Sequence, residues 1–199
     1  DATNTYSDVY TRSTRTTNVS GDIVLEQHHT GYDPLRGDAL LTTFIKRYQN
    51  DFGSGQSTGA LDSNADNDPL KVTASNLAGR ATSITATWFD FLHRPTTRAE
   101  YGTNGGSTFD RTTEAEPSAS ASGRLVSKWS YDTAGSLASA TDPKGIQARY
   151  SYDDADRPLK VIENYVNGTP GTGSADDDRT TRYEYGYPSS GPGLVRKII

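Results

Sequence analysis

Between 147 and 152 the side chains alternate: Ala148, Tyr150 and Tyr152 fall on one parity, Gln147, Arg149 and Ser151 on the other. Successive residues of an extended chain point to opposite faces, so this pattern predicts a strand with one apolar, aromatic side and one wet side. Leu159 and Val161 line one face of the next strand by the same period. Upstream, Ile23-Val-Leu25, Leu40 to Tyr48, Leu70-Lys-Val72 and the stretches 80–89 and 95–101 predict further strands. The run 38–48 also fits a short helix, since apolar runs of that length do not separate the two periods. A Gly-, Ser-, Asn- and Asp-rich stretch over 50–68 predicts a loop, and Asn104-Gly105-Gly106 a turn. The pattern divides the chain into an extended or disordered arm (1–21), degenerate N-terminal hairpins with a long polar loop (22–75), and repeat hairpins (76–199).

The reversals between strands repeat one unit. Tyr131-Asp132-Thr-Ala-Gly135-Ser-Leu137 recurs 21 residues later as Tyr152-Asp153-Asp-Ala-Asp156-Arg-Pro158-Leu159. A type I turn favours Asp at its first position, where the carboxylate accepts a backbone N–H, and Gly at its fourth. Asp132 and Gly135 fill those places; Asp153 and Asp156 do so in the second copy, Asp being one of the residues that enters left-handed backbone space. Asp142-Pro143-Lys144-Gly145 supplies a third turn between them. Openings at 132, 142 and 153 are the spacing of short antiparallel strands joined by tight turns, a β-meander.

More worn copies lie upstream. Phe89-Asp90-Phe-Leu-His93-Arg94-Pro95 aligns without gaps on 152–158 at an offset of 63 residues, with His93 in the turn-closing place. Asn76-Leu-Ala-Gly79-Arg80 keeps the turn pair but has Ser75 where an aromatic would stand, and Tyr32-Asp33-Pro34-Leu35 is fainter. Repeated hairpins bury their faces on neighbours instead of forming self-sufficient domains.

The pattern Tyr-Asp-x-x-Gly-x-Leu, then Thr141-Asp142-Pro143-Lys-Gly145 and Arg149-Tyr150-Ser-Tyr152-Asp153, resembles the RHS/YD-repeat family of large bacterial and some animal proteins. The resemblance is good over 123–165, fair over 76–101 and 180–187, and poor before 75. Ser136 stands where the family has Arg, and Gly186 follows Tyr185 where Asp is expected. The resemblance implies a long β-ribbon that spirals into a hollow shell, as in toxins that sequester a C-terminal toxin domain and in cell-surface adhesion proteins. It implies a secreted or cell-surface location.

Composition adjusts this picture. Leu, Ile, Val and Phe total 32 of 199 residues, a thin stock of core material, while 26 Thr and 12 Tyr favour a half-buried pleated surface. With no Met in it, the chain is expected to be a processed product or a segment of a longer polypeptide. Without Cys there are no disulfides or thiolate metal sites. No apolar run approaches the roughly 18 residues of a membrane span, and a net charge of −5 without a basic block argues against nucleic acid.

Candidate chemistry is sparse. His28 and His29 are adjacent, so in a strand they face apart and cannot chelate one ion together; His93 belongs to a turn. Asp62-Ser-Asn64-Ala-Asp66-Asn67-Asp68 echoes the start of a calcium loop, but its twelfth position is Thr73 where a bidentate Glu is needed. Asp176-Asp177-Asp178 lacks an ordered ligand spacing. Arg36-Gly37-Asp38 matches a tripeptide read by some adhesion receptors and fits a turn after Pro34; Asn18-Val-Ser20 and Asn167-Gly-Thr169 fit the N-glycosylation pattern. Tyr48, Tyr101 and Tyr165 each precede a polar loop that could face a partner.

These observations converge on an all-β chain, an antiparallel meander of hairpin repeats forming part of an RHS-type β-shell, structural and not enzymatic. No catalytic, cofactor-binding or metal-binding residue is assigned, and no cofactor is expected. Asp132, Gly135, Asp142, Pro143, Gly145, Asp153 and Asp156 carry the turns; Tyr131, Tyr150, Tyr152, Leu159 and Val161 carry face packing. Expected partners are the remainder of the same longer polypeptide, an encapsulated C-terminal toxin domain or a cell-surface glycan, with no nucleic acid and no membrane span. The alternative is a carbohydrate-binding surface that uses exposed Tyr and Trp, with Trp88 and Trp129 as the residues to replace. The segment alone is expected to present open strand edges and to associate.

Overall fold

The computed structural model describes residues 25–47, 61, 68–72, 80–166, 178–186 and 194–198. No α-helix occurs among them, and every strand pairing is antiparallel. The chain forms two compact units, Asp1–Val126 and Ser127–Ile199. The sequence-based boundaries at 21/22 and 75/76 lie outside the described residues.

In the first unit, β1 (Glu26–Tyr32), β2 (Ala39–Arg47), β4 (Arg80–Phe89) and β5 (Pro95–Gly102) lie side by side in that order, and β3 (Lys71–Val72) pairs separately with β6 (Phe109–Asp110). Leu41, Thr43, Ile45 and Arg47 of β2 are buried and Thr42 and Lys46 exposed. That period of two resolves the helix-or-strand ambiguity at 38–48 in favour of a strand. Register carries the buried face across: Leu41 opposes Ala86, which opposes Ala99; Thr43 opposes Ile84; Trp88 opposes Thr97. Leu70, Val72, Phe109 and Val126 complete the core with this face. A thin aliphatic stock suffices because it is spent on one side of one sheet.

The connection that bears on the face comes close enough to dictate a residue. A Cβ on Gly31 of β1 would stand 2.2 Å from the Pro69 carbonyl oxygen and 2.7 Å from Leu70 Cδ2. The strand expected at 23–25 starts later: β1 begins at Glu26, Leu25 is an exposed residue ahead of it, and 23 and 24 lie outside the described residues.

The second unit is a meander of β7 (Leu125–Tyr131, which crosses into it), β8 (Leu137–Thr141), β9 (Gln147–Tyr152), β10 (Pro158–Glu163), β11 (Arg179–Gly186) and β12 (Leu194–Ile198). Face packing here differs from the sequence reading. Leu159 is 39% exposed and Val161 half-buried, whereas Ile162, on the opposite face, is 4% exposed. The reason is local. Ile162 lines a small hollow with Arg149 and Tyr165, where the Arg149 guanidinium lies 3.7 Å over the Tyr165 ring. Long basic stems and a ring cover the side assigned to water. Tyr131, Tyr150 and Tyr152 are half-buried.

Candidate functional site: the Asp-opened turns

Four reversals share one geometry. In each, the opening Asp accepts two backbone N–H groups on Oδ1: Ala134 and Ser136 on Asp132, both 2.9 Å; Lys144 and Ile146 on Asp142, 2.8 and 2.9 Å; Ala155 and Arg157 on Asp153, both 2.9 Å; Leu92 and Arg94 on Asp90, 2.8 and 3.0 Å. The main chain closes the same way each time, the fourth residue's N–H donating to the Asp carbonyl. That fourth residue is left-handed throughout: Gly135 (φ 101°), Gly145 (86°), Asp156 (61°) and His93 (63°). The gapless alignment of 89–95 on 152–158 is therefore a three-dimensional equivalence. The Asp33 turn is one residue longer, with Gly37 left-handed (φ 76°) and its N–H on the Asp33 carbonyl at 2.8 Å. Arg36-Gly37-Asp38 sits in that turn, as expected.

Left-handed backbone costs an L-residue roughly 1–2 kcal/mol. Gly145→Ala is accordingly expected to lower stability by about 1–2 kcal/mol, read as a lower urea midpoint at unchanged slope; an unchanged midpoint contradicts the turn assignment.

Two turns carry a second device. Arg94 forks onto Asp90 Oδ2 (Nε 2.8 Å, terminal nitrogen 2.7 Å), and Arg157 does the same to Asp153 (2.7 and 2.6 Å). Each carboxylate thus spends one oxygen on backbone amides and the other on a guanidinium. For Asp153, the Arg157 hydrogen bond, then backbone amides, hold the carboxyl below the usual range; for Asp90, local desolvation works upward and Arg94 and the amides outweigh it, so the net displacement is also downward. Because the folded values are lowered, the stabilisation is complete above the unfolded Asp value of about 3.9 and is lost as pH falls through the folded value. The melting-temperature gap between the native chain and Asp153→Asn should therefore be widest near neutrality and close below about pH 4. A gap independent of pH contradicts the pairing.

The left-handed residues that are not Gly reach sideways. His93 Nδ1 lies 3.0 and 3.1 Å from the two Asp38 carboxylate oxygens, linking the β4–β5 turn to the β1–β2 turn. The Ser136 hydroxyl donates to the Asp156 carboxylate, linking the β7–β8 and β9–β10 turns. In both pairs the acceptor or donor upstream is the residue just after the left-handed Gly, Asp38 after Gly37 and Ser136 after Gly135. Ser136 in place of Arg is thus accounted for by a short partner suited to Asp156.

Beyond the turns, carboxylates hold the segment after β5 against the sheet. Tyr101 donates to Glu114 at 2.8 Å and Thr97 to Glu116 at 2.5 Å; Arg111 donates to the Thr87 carbonyl at 3.0 Å and lies 4.1 Å over the Trp88 ring. Burial, then the Glu114 hydrogen bond, push the Tyr101 phenol up to about 12. Burial lowers the Arg111 guanidinium. Sequence reasoning missed these two glutamates, because a polar stretch without a period carries no sign of which side chains turn inward.

The remaining candidates resolve residue by residue. Trp88 is only 9% exposed and belongs to the core, so it is not available to stack on a sugar; Trp129 is half-buried. His28 is exposed and tilted against Phe44 with ring centroids 4.4 Å apart, while His29 is half-buried on the other face, so the pair diverges as the strand period requires. Residues 62–67, 73, 176 and 177 lie outside the described residues, as do Asn18 and Asn167. Asp68 accepts the Leu70 N–H at 3.2 Å. Asp178 is buried (2% exposed), accepts the Val166 N–H at 3.0 Å and donates its own N–H to the Asn164 carbonyl at 3.0 Å. It clamps the base of the excursion between β10 and β11, a role unread in its acidic triplet. Among the described residues no three His, Asp or Glu side chains are grouped to hold a metal ion, and no helix is long and apolar enough to cross a membrane.

A family model described as RHS Repeat matches residues 131–169. This stretch is similar to an RHS repeat. It opens on Tyr131, the last residue of β7, and takes in the turns at 132, 142 and 153 with β8, β9 and β10. The turn at 90–94 lies outside the matched residues yet reproduces the geometry of the 153–157 turn within them, down to the Arg fork and the left-handed fourth residue. No curated protein matches the chain. RHS repeats are structural repeats and occur in extracellular and cell-surface proteins.

Proposed function

We propose that this chain is a structural segment of a large secreted or cell-surface RHS/YD-repeat protein, non-enzymatic, forming part of a β-sheet shell that encloses or displays a partner domain, as toxin casing or in adhesion. The observation that carries this reading is the recurrence of one Asp-opened turn, at 90–94 and three times within 131–169, setting each strand beside the one before it. A sheet extended by identical reversals grows by addition, and its inherent twist curves it. Such a segment works by geometry: its partners are the remainder of its own polypeptide and whatever that polypeptide surrounds, a C-terminal toxin domain or a glycan-bearing surface.

Electron cryo-microscopy of the full-length product of the gene that contains this chain tests the reading. Strands of 80–163 should lie in the wall of a lumen. A free-standing domain at that position overturns it. The carbohydrate-binding alternative now rests on Trp129 and the half-buried tyrosines; it requires a glycan-array signal that Trp129→Ala abolishes.

A further inference from the structure

The two faces of the β10–β11 pair are charged in opposite ways. On one face the register sets Glu163 opposite Arg179; on the other it sets Lys160 opposite Arg182. Opposite charges across an antiparallel pair stabilise it, and like charges directly opposite destabilise it. Elsewhere in the sheet exposed strand cations stand beside carboxylates, Lys46 with Glu26 at 3.1 Å and Arg98 with Glu100 at 3.0 Å. Among the described residues Lys160 and Arg182 make no such ion pair, in a chain with 25 acidic residues to 20 basic ones. Glu184, the next residue of β11 on their face, is set opposite Lys197 by the register with β12. Strand pairing alone does not ask for two cations face to face.

A third cation joins them. Ser151 opposes Lys160 and Arg149 opposes Ile162, so these four share a side. With Tyr165 they line the hollow already described, about 270 Å³ in volume. Arg149 is held in place there: its Nε donates to the Gln147 side-chain oxygen at 2.8 Å and its guanidinium lies 3.7 Å over the Tyr165 ring. A cation fixed beforehand loses little freedom when it binds. Buried Ile162 and the Tyr165 ring form a wall of low dielectric, and clefts of one sign of charge with such walls concentrate the opposite ion. The volume falls just under the roughly 300 Å³ at which pockets hold a drug-sized ligand. It suits one compact group.

We propose that this hollow binds a phosphate or sulfate group, with the Lys160 ammonium, the Arg149 guanidinium and the Ser151 hydroxyl donating to its oxygens and Arg182 adding a second guanidinium from β11. Charge-assisted bonds of this kind are roughly twice as strong as neutral ones. The bound anion turns the like-charge opposition of Lys160 and Arg182 into a bridge across the two strands. The group can arrive as the free ion or on an ester. The site rests on the face of β9, β10 and β11 alone and stands independently of the shell reading.

Nuclear magnetic resonance of the isotope-labelled 199-residue chain tests it, with sodium phosphate replacing sodium chloride at constant ionic strength. The Arg149 Nε–H and the Ser151 and Lys160 amides should shift saturably. Lys160→Met, which keeps the apolar stem, and Arg182→Gln should each weaken binding at least about tenfold, whereas Lys144→Gln, in the exposed turn at 142–146, should not. In chloride Lys160→Met should melt no lower than the native chain, because it removes a like-charge pair. In phosphate the native chain alone should gain melting temperature, since a ligand of the folded state stabilises it. Inorganic sulfate and phenyl phosphate as further probes distinguish the sources: tighter binding of the ester assigns an organic carrier, tighter binding of the inorganic ions a free anion, and either supports the site. Shifts that never saturate, shifts equal to those in chloride, or variants that bind as the native chain does each overturn the proposal. So does a Lys160→Met chain that melts lower in chloride yet gains as much in phosphate.

Discussion

Trp88→Ala is expected to lower stability by about 3–5 kcal/mol, the range for deleting a large aromatic from a packed interior. The indole is buried on the face that also holds Ile84, Ala86, Ala99 and Tyr101. It opposes Thr97 across the β4–β5 pair, and the Arg111 guanidinium lies 4.1 Å above it. Removing the ring takes away core volume and the stacking partner of a cation already lowered by burial. Urea denaturation followed by circular dichroism reads the loss directly. The glycan-surface reading expects a different result, a stable fold that has lost a ligand, so a Trp88→Ala chain with native stability removes the packing account of this residue.

Gly31→Ala is the second large effect. The added methyl would sit 2.2 Å from a carbonyl oxygen and 2.8 Å from its carbon, both in the Pro69 backbone, which cannot rotate away as a side-chain end could. Either the segment bearing Pro69 and Leu70 lifts or β1 bends. Overpacking of this sort costs about 1–3 kcal/mol. Because Leu70 packs on the buried cluster, lifting it also uncovers Val72 and Phe109, which are paired strand to strand beside it. A lower urea midpoint together with faster amide exchange at 71, 72, 109 and 110 is the expected pair of results. Native midpoint and native exchange would show that the close approach is not real.

The turns were legible in the sequence because their chemistry is local. Asp at the first place and a left-handed residue at the fourth are decided within five residues, so 132–136, 142–146 and 153–157 could be read directly, and 90–94 by alignment with His93 accepted as a left-handed residue. The strand at 39–47 needed only its own alternation once burial was known. What could not be read depends on distant neighbours. Alternation places Val161 and Ile162 on opposite faces but does not say which is covered, and a basic stem with Tyr165 reverses the naive choice. Trp88 looked as available as Trp129 until the segment carrying Glu114 and Glu116 proved to be held against the sheet by Tyr101 and Thr97. Asp178 looked like one of three solvated carboxylates and is instead a buried clamp, a distinction set by the Val166 N–H twelve residues before it and the Asn164 carbonyl fourteen before it. The sideways links from His93 and Asp156 are likewise invisible in one dimension, since each joins turns that only the register brings together.

The central claim, that Asp-opened reversals lay successive strands side by side through 131–163, is tested most directly by nuclear Overhauser contacts in the isotope-labelled chain. Backbone contacts are predicted between Ser130 and Ser139, between Ala140 and Ala148, and between Tyr150 and Val161. Their absence, with sequential amide–amide contacts running through 131–163 in their place, would contradict the account at its base.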